Sequence, residues 1–143
     1  MKRRGDKDKG GRYEEVKRKT QIEETGNTVV EGYIIRTVDR KGKEFSYWIP
    51  QKILKKWMID ILEEVCLIGG RCKVKDLGKI MEKEIYTIYR TKTAVERIIL
   101  FILNYLVLQG IFEYNWETDE YILLQDLEKG KNRIEEQLMI FDF

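Results

Sequence analysis

Eleven consecutive residues, Ile98-Ile99-Leu100-Phe101-Ile102-Leu103-Asn104-Tyr105-Leu106-Val107-Leu108, are interrupted by one polar side chain, Asn104. Before them lies a polar start, Thr91-Lys92-Thr93-Ala94-Val95-Glu96-Arg97, and after them a Gly110 stop. Thr91 and Thr93 are both suited to cap a helix N-terminus, because a hydroxyl can accept from an orphan amide. A helix that is apolar nearly all round is buried on every side. Eleven residues fall short of the roughly 20 needed to cross a bilayer. Protein must therefore cover this helix, either the N-terminal part of the chain or a second copy. A homodimer through the helix is the simpler expectation.

The chain is long enough for one domain with one core. Residues 1–27 open with Met-Lys-Arg-Arg-Gly-Asp-Lys-Asp-Lys-Gly-Gly and read as a basic, largely disordered tail, with a marginal charged helix between Arg12 and Glu24. Residues 28–49 read as a β-hairpin, two β-branched and aromatic runs flanking the turn Asp39-Arg40-Lys41-Gly42-Lys43. Pro50 opens a first helix whose inward stripe is Ile53, Leu54, Trp57, Met58, Ile61, Leu62 and Val65, with Gly69-Gly70 as its end. Arg71-Cys72-Lys73 is a short extended piece. A second helix from Val74 to about Lys83 turns Val74, Leu77, Ile80 and Met81 inward. After the third helix, Ile111–Trp116 and Glu120–Leu124 flank Glu117-Thr118-Asp119 as a second hairpin. Residues 126–136 read as a charged linker. The expected class is α+β.

Charge is unevenly spread. Residues 1–20 carry nine Lys/Arg against four acids, whereas residues 113–143 carry three against nine. A basic front and an acidic back imply opposite electrostatic roles. With no histidine, the chain can build no His-based triad and no His-ligated zinc. Cys66 and Cys72 are too few for a structural zinc; they are either two buried thiols or a bridge across a turn. Asp39-Arg40-Lys41 is a polar turn rather than a nuclease metal site, since the companion acids are missing. No cofactor or metal is expected, and no catalytic residue. The charged N-terminus offers no signal peptide, so the expected compartment is the cytoplasm. The Lys-, Glu- and Ile-rich usage, with five Gln and one Pro, resembles that of hyperthermophile proteomes.

The chain finishes on Gln137-Leu138-Met139-Ile140-Phe141-Asp142-Phe143. A terminal stretch is ordinarily polar, and apolar anchors there suit another protein's pocket. A glutamine, an aliphatic three residues on and an aromatic six residues on resemble the sliding-clamp-binding peptide, the PCNA-interacting motif (PIP box). The match is to the archaeal form ending in Leu-Phe-Asp-Phe, seen at the end of replication factor C large subunits. The resemblance covers these seven residues and implies clamp binding through Gln137, Ile140, Phe141 and Phe143. It differs from the family in having no further apolar residue after Phe143.

Residues 50–125, as helix, short strand, helix, helix and hairpin, resemble the winged helix-turn-helix. The segment from Thr91 to Phe112 looks like the recognition helix and first wing strand of prokaryotic regulators. DNA contact is then expected from Arg90, Thr91, Lys92, Thr93 and Arg97, flanked by Lys73, Lys75 and Lys79, with Lys2, Arg3 and Arg4 tracking phosphates. Arg40, Lys41 and Lys43 form a further basic tip. Against this, Glu117, Asp119 and Glu120 place carboxylates where wings usually carry Lys or Arg; Trp116 reads as a strand packing residue.

Three functions fit. The first is a non-enzymatic replication or repair accessory protein from a thermophilic archaeon or its virus, bound to the sliding clamp and to DNA. The second is a dimeric winged-helix transcriptional regulator, viral or plasmid-borne. The third is an accessory subunit of a nuclease, helicase or polymerase.

Overall fold

The computed structural model describes residues 20–25, 28–38 and 41–140. Two three-stranded antiparallel sheets and four helices make a mixed α+β fold. Strands β1 (Thr20–Thr25), β2 (Thr28–Val38) and β3 (Glu44–Pro50) form the first sheet in that order. Helix α1 spans Gln51–Leu67, strand β4 Arg71–Cys72, helix α2 Val74–Ile85 and helix α3 Lys92–Leu108. Strands β5 (Phe112–Asn115) and β6 (Glu120–Leu123) complete the second sheet in the order β4-β6-β5. Helix α4 (Leu127–Ile140) follows.

Two segments depart from the sequence reading. Thr20–Thr25 is a strand rather than the end of a charged helix, with Thr25 opposite Thr28 across Gly26-Asn27. A short charged helix has no apolar face to bury, whereas Gly-Asn between β-branched runs favours a tight hairpin. That dipeptide was the available signal. The charged linker is also replaced, because Leu127–Ile140 is helical. Its scattered apolar residues, Leu127 and Ile134, fall on one stripe with Gly130, and a neighbouring helix gives that stripe something to pack on.

Burial in the first sheet follows strand alternation. Tyr33, Ile35, Thr37 and Ile49 are buried on one face, and Tyr47 packs with them. On the other face the Trp48 ring lies against Gly32. A Cβ on Gly32 would come within 2.5 Å of that ring, so only glycine fits beneath it. The core face covers α3, which settles what shields the apolar run. Ala94, Val95, Ile98, Ile99, Phe101, Ile102, Leu103, Asn104, Tyr105 and Leu106 are all buried within one chain. The homodimer expected through this helix loses its driving force, since the surface it would bury is already out of water. Asn104 accepts a hydrogen bond from the Tyr121 hydroxyl at 2.7 Å, so the polar break in the run ties α3 to β6.

Helix ends follow local chemistry. Gly69 and Gly70 close α1 at positive φ (101° and 86°). The Gly69 amide donates to the Cys66 carbonyl and that of Gly70 to the Val65 carbonyl, the paired bonds of a Schellman ending. Gly110, at φ 77°, ends α3 in the same way, its amide meeting Val107 and that of Ile111 meeting Leu106. Pro50 sits one place earlier than expected, as the cap preceding α1 rather than its first helical residue. In α2 the inward residues are Leu77, Met81 and Ile85, and Ile80 is 39% exposed, because the helix runs two residues past Lys83 and its stripe is centred differently.

Candidate functional site

At the start of α3, Thr91 is the cap, its Oγ1 accepting from the Ala94 amide at 3.2 Å. Arg90, Thr91, Lys92 and Thr93 are all exposed there. They sit where the helix presents unsatisfied amides and the positive end of its dipole, which favours an anionic ligand. Lys73, Lys75 and Lys79, on and just before α2, are exposed as well. The Lys73 amide donates to Asp76 Oδ2 at 3.0 Å, closing the first turn of α2.

Arg97 does not join this exposed group. Its guanidinium carbon lies 3.3 Å from the centroid of the Phe45 ring, and Nη1 donates to the Tyr47 hydroxyl at 3.4 Å. Phe45 and Tyr47 belong to β3, so Arg97 docks the N-terminal sheet on α3. A planar guanidinium over an aromatic face is stabilised by the ring quadrupole. The Tyr89 hydroxyl reinforces the same junction. It donates to the Trp48 carbonyl at 2.7 Å and accepts from the Trp48 amide at 2.9 Å, satisfying one outward backbone pair of the edge strand. Its ring meets Tyr47 edge-on at 5.0 Å. Burial pushes the Tyr89 hydroxyl pKa above its usual value, against the lowering effect of the backbone bond to Trp48.

The β5–β6 turn is acidic, as its sequence indicates. Tyr114 donates to Asp119 Oδ1 at 2.6 Å, and the Glu117 amide donates to Asn115 Oδ1 at 3.0 Å. Asp119 adopts φ 58°, a left-handed position that aspartate tolerates. Glu120 pairs with Arg71 at 3.6 Å. Trp116 is 48% exposed in the turn rather than packed in a strand, because β5 ends at Asn115.

Helix α4 lies antiparallel on α1. Asp126 caps it, accepting from the Lys129 amide at 2.8 Å. A Cβ on Gly130 would stand 2.6 Å from Leu62 Cδ2, so the two helices approach closely at that point. Ile134 is buried in the core, and ion pairs Lys131–Glu63 (2.8 Å) and Lys55–Glu135 (2.6 Å) flank the contact. Of the clamp-peptide residues, Gln137 and Ile140 fall in the last turn of α4. Phe141 and Phe143 lie outside the described residues, as do Lys2, Arg3, Arg4 and Arg40.

Cys66 and Cys72 are free thiols. Burial pushes the Cys72 thiol up to about 12, with Asp76 and Glu120 adding in the same direction, so it is not a nucleophile at neutral pH. Lys56 bridges Asp60 (2.9 Å) and Glu84 (3.2 Å), which raise its pKa. Among the described residues no group of three or more Cys, Asp or Glu is arranged to hold a metal ion, and no helix is long and apolar enough to cross a membrane.

No protein-family model matches the chain, and neither a curated protein nor a solved structure matches it.

Proposed function

We propose that this chain is a non-enzymatic accessory protein of DNA replication or repair, held on a sliding clamp of the PCNA type by its C-terminal peptide. The residues Gln137, Ile140, Phe141 and Phe143, in the clamp-peptide spacing at the end of the chain, carry this reading. Helix α4, which carries the start of the peptide, is docked on α1 at Gly130, Lys131, Ile134 and Glu135. Gln137–Ile140 already continue a helix, and one helical turn brings Gln137 and Ile140 to the same side. Two apolar anchors at roughly 1.5–3 kcal/mol each correspond to micromolar affinity once ordering costs are subtracted.

The folded domain is a winged helix on this reading, with α1, β4, α2, α3 and the β5–β6 hairpin as its parts. The element order and the β4-β6-β5 sheet support it. Duplex DNA meets the start of α3, where Arg90 and Lys92 contact phosphates and Thr91 and Thr93 supply hydroxyls. Tethering to a clamp already on DNA raises the local concentration, so weak intrinsic affinity suffices. A dimeric regulator joined through α3 is the weaker reading, because α3 is covered within one chain.

Calorimetric titration of purified archaeal PCNA with the full-length protein tests the tail. Wild type is expected to bind at micromolar Kd, and the Ile140→Ala/Phe143→Ala variant at least tenfold more weakly, about 1.4 kcal/mol. Equal binding by the two sinks the clamp assignment.

A further inference from the structure

A duplex-binding domain that inserts one helix end gains grip from a second basic element beside it. The β5–β6 turn is poorly suited, since Glu117 and Asp119 would face phosphates with like charge. The β2–β3 hairpin offers the opposite charge and is fastened to α3 itself. Arg97 lies 3.3 Å from the Phe45 ring centroid, and Lys43 Nζ lies 5.4 Å from the same centroid. One ring therefore holds both a cation of α3 and a cation of the hairpin end. Tyr47, two residues further along the same strand face, accepts from Arg97 and packs on Tyr89, the residue before Arg90. Thr93 stands one helical turn before Arg97 on the same side of α3. Strand β3, which leads out of the hairpin end, is thus anchored to α3 through Arg97 and to the segment just before it through Tyr89. Lys41 and Lys43 are exposed at that end.

We infer that the β2–β3 hairpin is the second phosphate-contacting element of the duplex interface, with Lys41 and Lys43 in the role that the acidic β5–β6 hairpin cannot fill. The inference rests on the reading of α3 as the duplex-contacting helix. Arg97 and Tyr89 are then positioning residues, holding the hairpin against the helix without touching DNA.

The test is fluorescence anisotropy of a labelled DNA duplex with the full-length protein, repeated across a salt series. Each lost lysine–phosphate contact lowers the slope of log affinity against log salt by about 0.9. Lys41→Ala/Lys43→Ala is expected to reduce that slope by nearly two and to weaken binding about fivefold or more at low salt. Both positions are exposed, so an unchanged thermal midpoint serves as the folding control. Glu117→Gln is expected to change affinity by less than about twofold, because its hairpin stands away from the duplex. Unaltered affinity and slope in Lys41→Ala/Lys43→Ala, while Lys92→Ala weakens binding, overturn the hairpin inference and leave the α3 reading intact. Failure of the wild type to bind duplex overturns both.

Discussion

Gly78 and Gly130 are helical glycines with opposite surroundings. A Cβ at Gly78 would find only Glu96 Cγ at 3.9 Å, an ordinary contact, whereas at Gly130 it would drive into Leu62 at 2.6 Å. Alanine removes the entropic penalty of glycine in a helix, worth about 0.5–1 kcal/mol. Gly78→Ala is therefore expected to stabilise the protein by about that amount. At Gly130 the same gain competes with overpacking against a fully buried leucine, which costs typically 1–3 kcal/mol. Gly130→Ala is expected to destabilise by about 1 kcal/mol on balance. Urea unfolding of the two variants beside wild type measures both signs, and stabilisation at Gly130 would show that the α1–α4 contact is looser than its geometry. Arg97 belongs at this scale as well. Its residue type and its place one turn into α3 point to DNA, yet Phe45 and Tyr47 occupy its guanidinium. Nothing in the local sequence of α3 announces an aromatic partner about 50 residues earlier.

Among elements, α4 raises the sharpest question, because it contains the first four residues of the proposed clamp peptide. The docking contacts of its described side chains lie between Leu127 and Glu135. A chain truncated after Glu136 is expected to keep its thermal midpoint within a few degrees and to lose clamp binding. Truncation after Asp126 removes Ile134 from the core and leaves Leu62 uncovered; it is expected to cost several kcal/mol, as large core deletions do. Thermal unfolding of both truncations followed by circular dichroism makes the comparison. A steep loss of stability in the shorter truncation alone would mean that the terminal residues serve this fold and not a partner. Sequence patterning identifies α1 and α3 from dense apolar stripes and their glycine stops. It misses α4 because Leu127, Gly130 and Ile134 form a sparse stripe that becomes intelligible only when α1 lies beneath it.

For the whole molecule, the cover over α3 decides the oligomeric expectation. The first sheet, α2 and the β5–β6 hairpin enclose that helix in one chain, with Tyr33, Ile35 and Ile49 joining its core. Sedimentation at increasing concentration is expected to show a monomer throughout. A dimer that resists dilution would place a second interface elsewhere on the surface.

Local pattern alone determined most of the helices, the two hairpins, a threonine cap at Thr91 or Thr93, the Gly110 stop, the acidic turn and the clamp-type spacing at the end of the chain. Each is written in neighbouring residues, through apolar periodicity, a hydroxyl beside free amides, or a glycine where φ turns positive. Tertiary structure decided what covers α3, that residues 127–140 become a helix, that Thr20–Thr25 joins a sheet, and that Arg97 holds a hairpin instead of facing outward. All but the Thr20–Thr25 pairing depend on partners far apart in the chain, and burial energy rewards such contacts only once both surfaces have left water together.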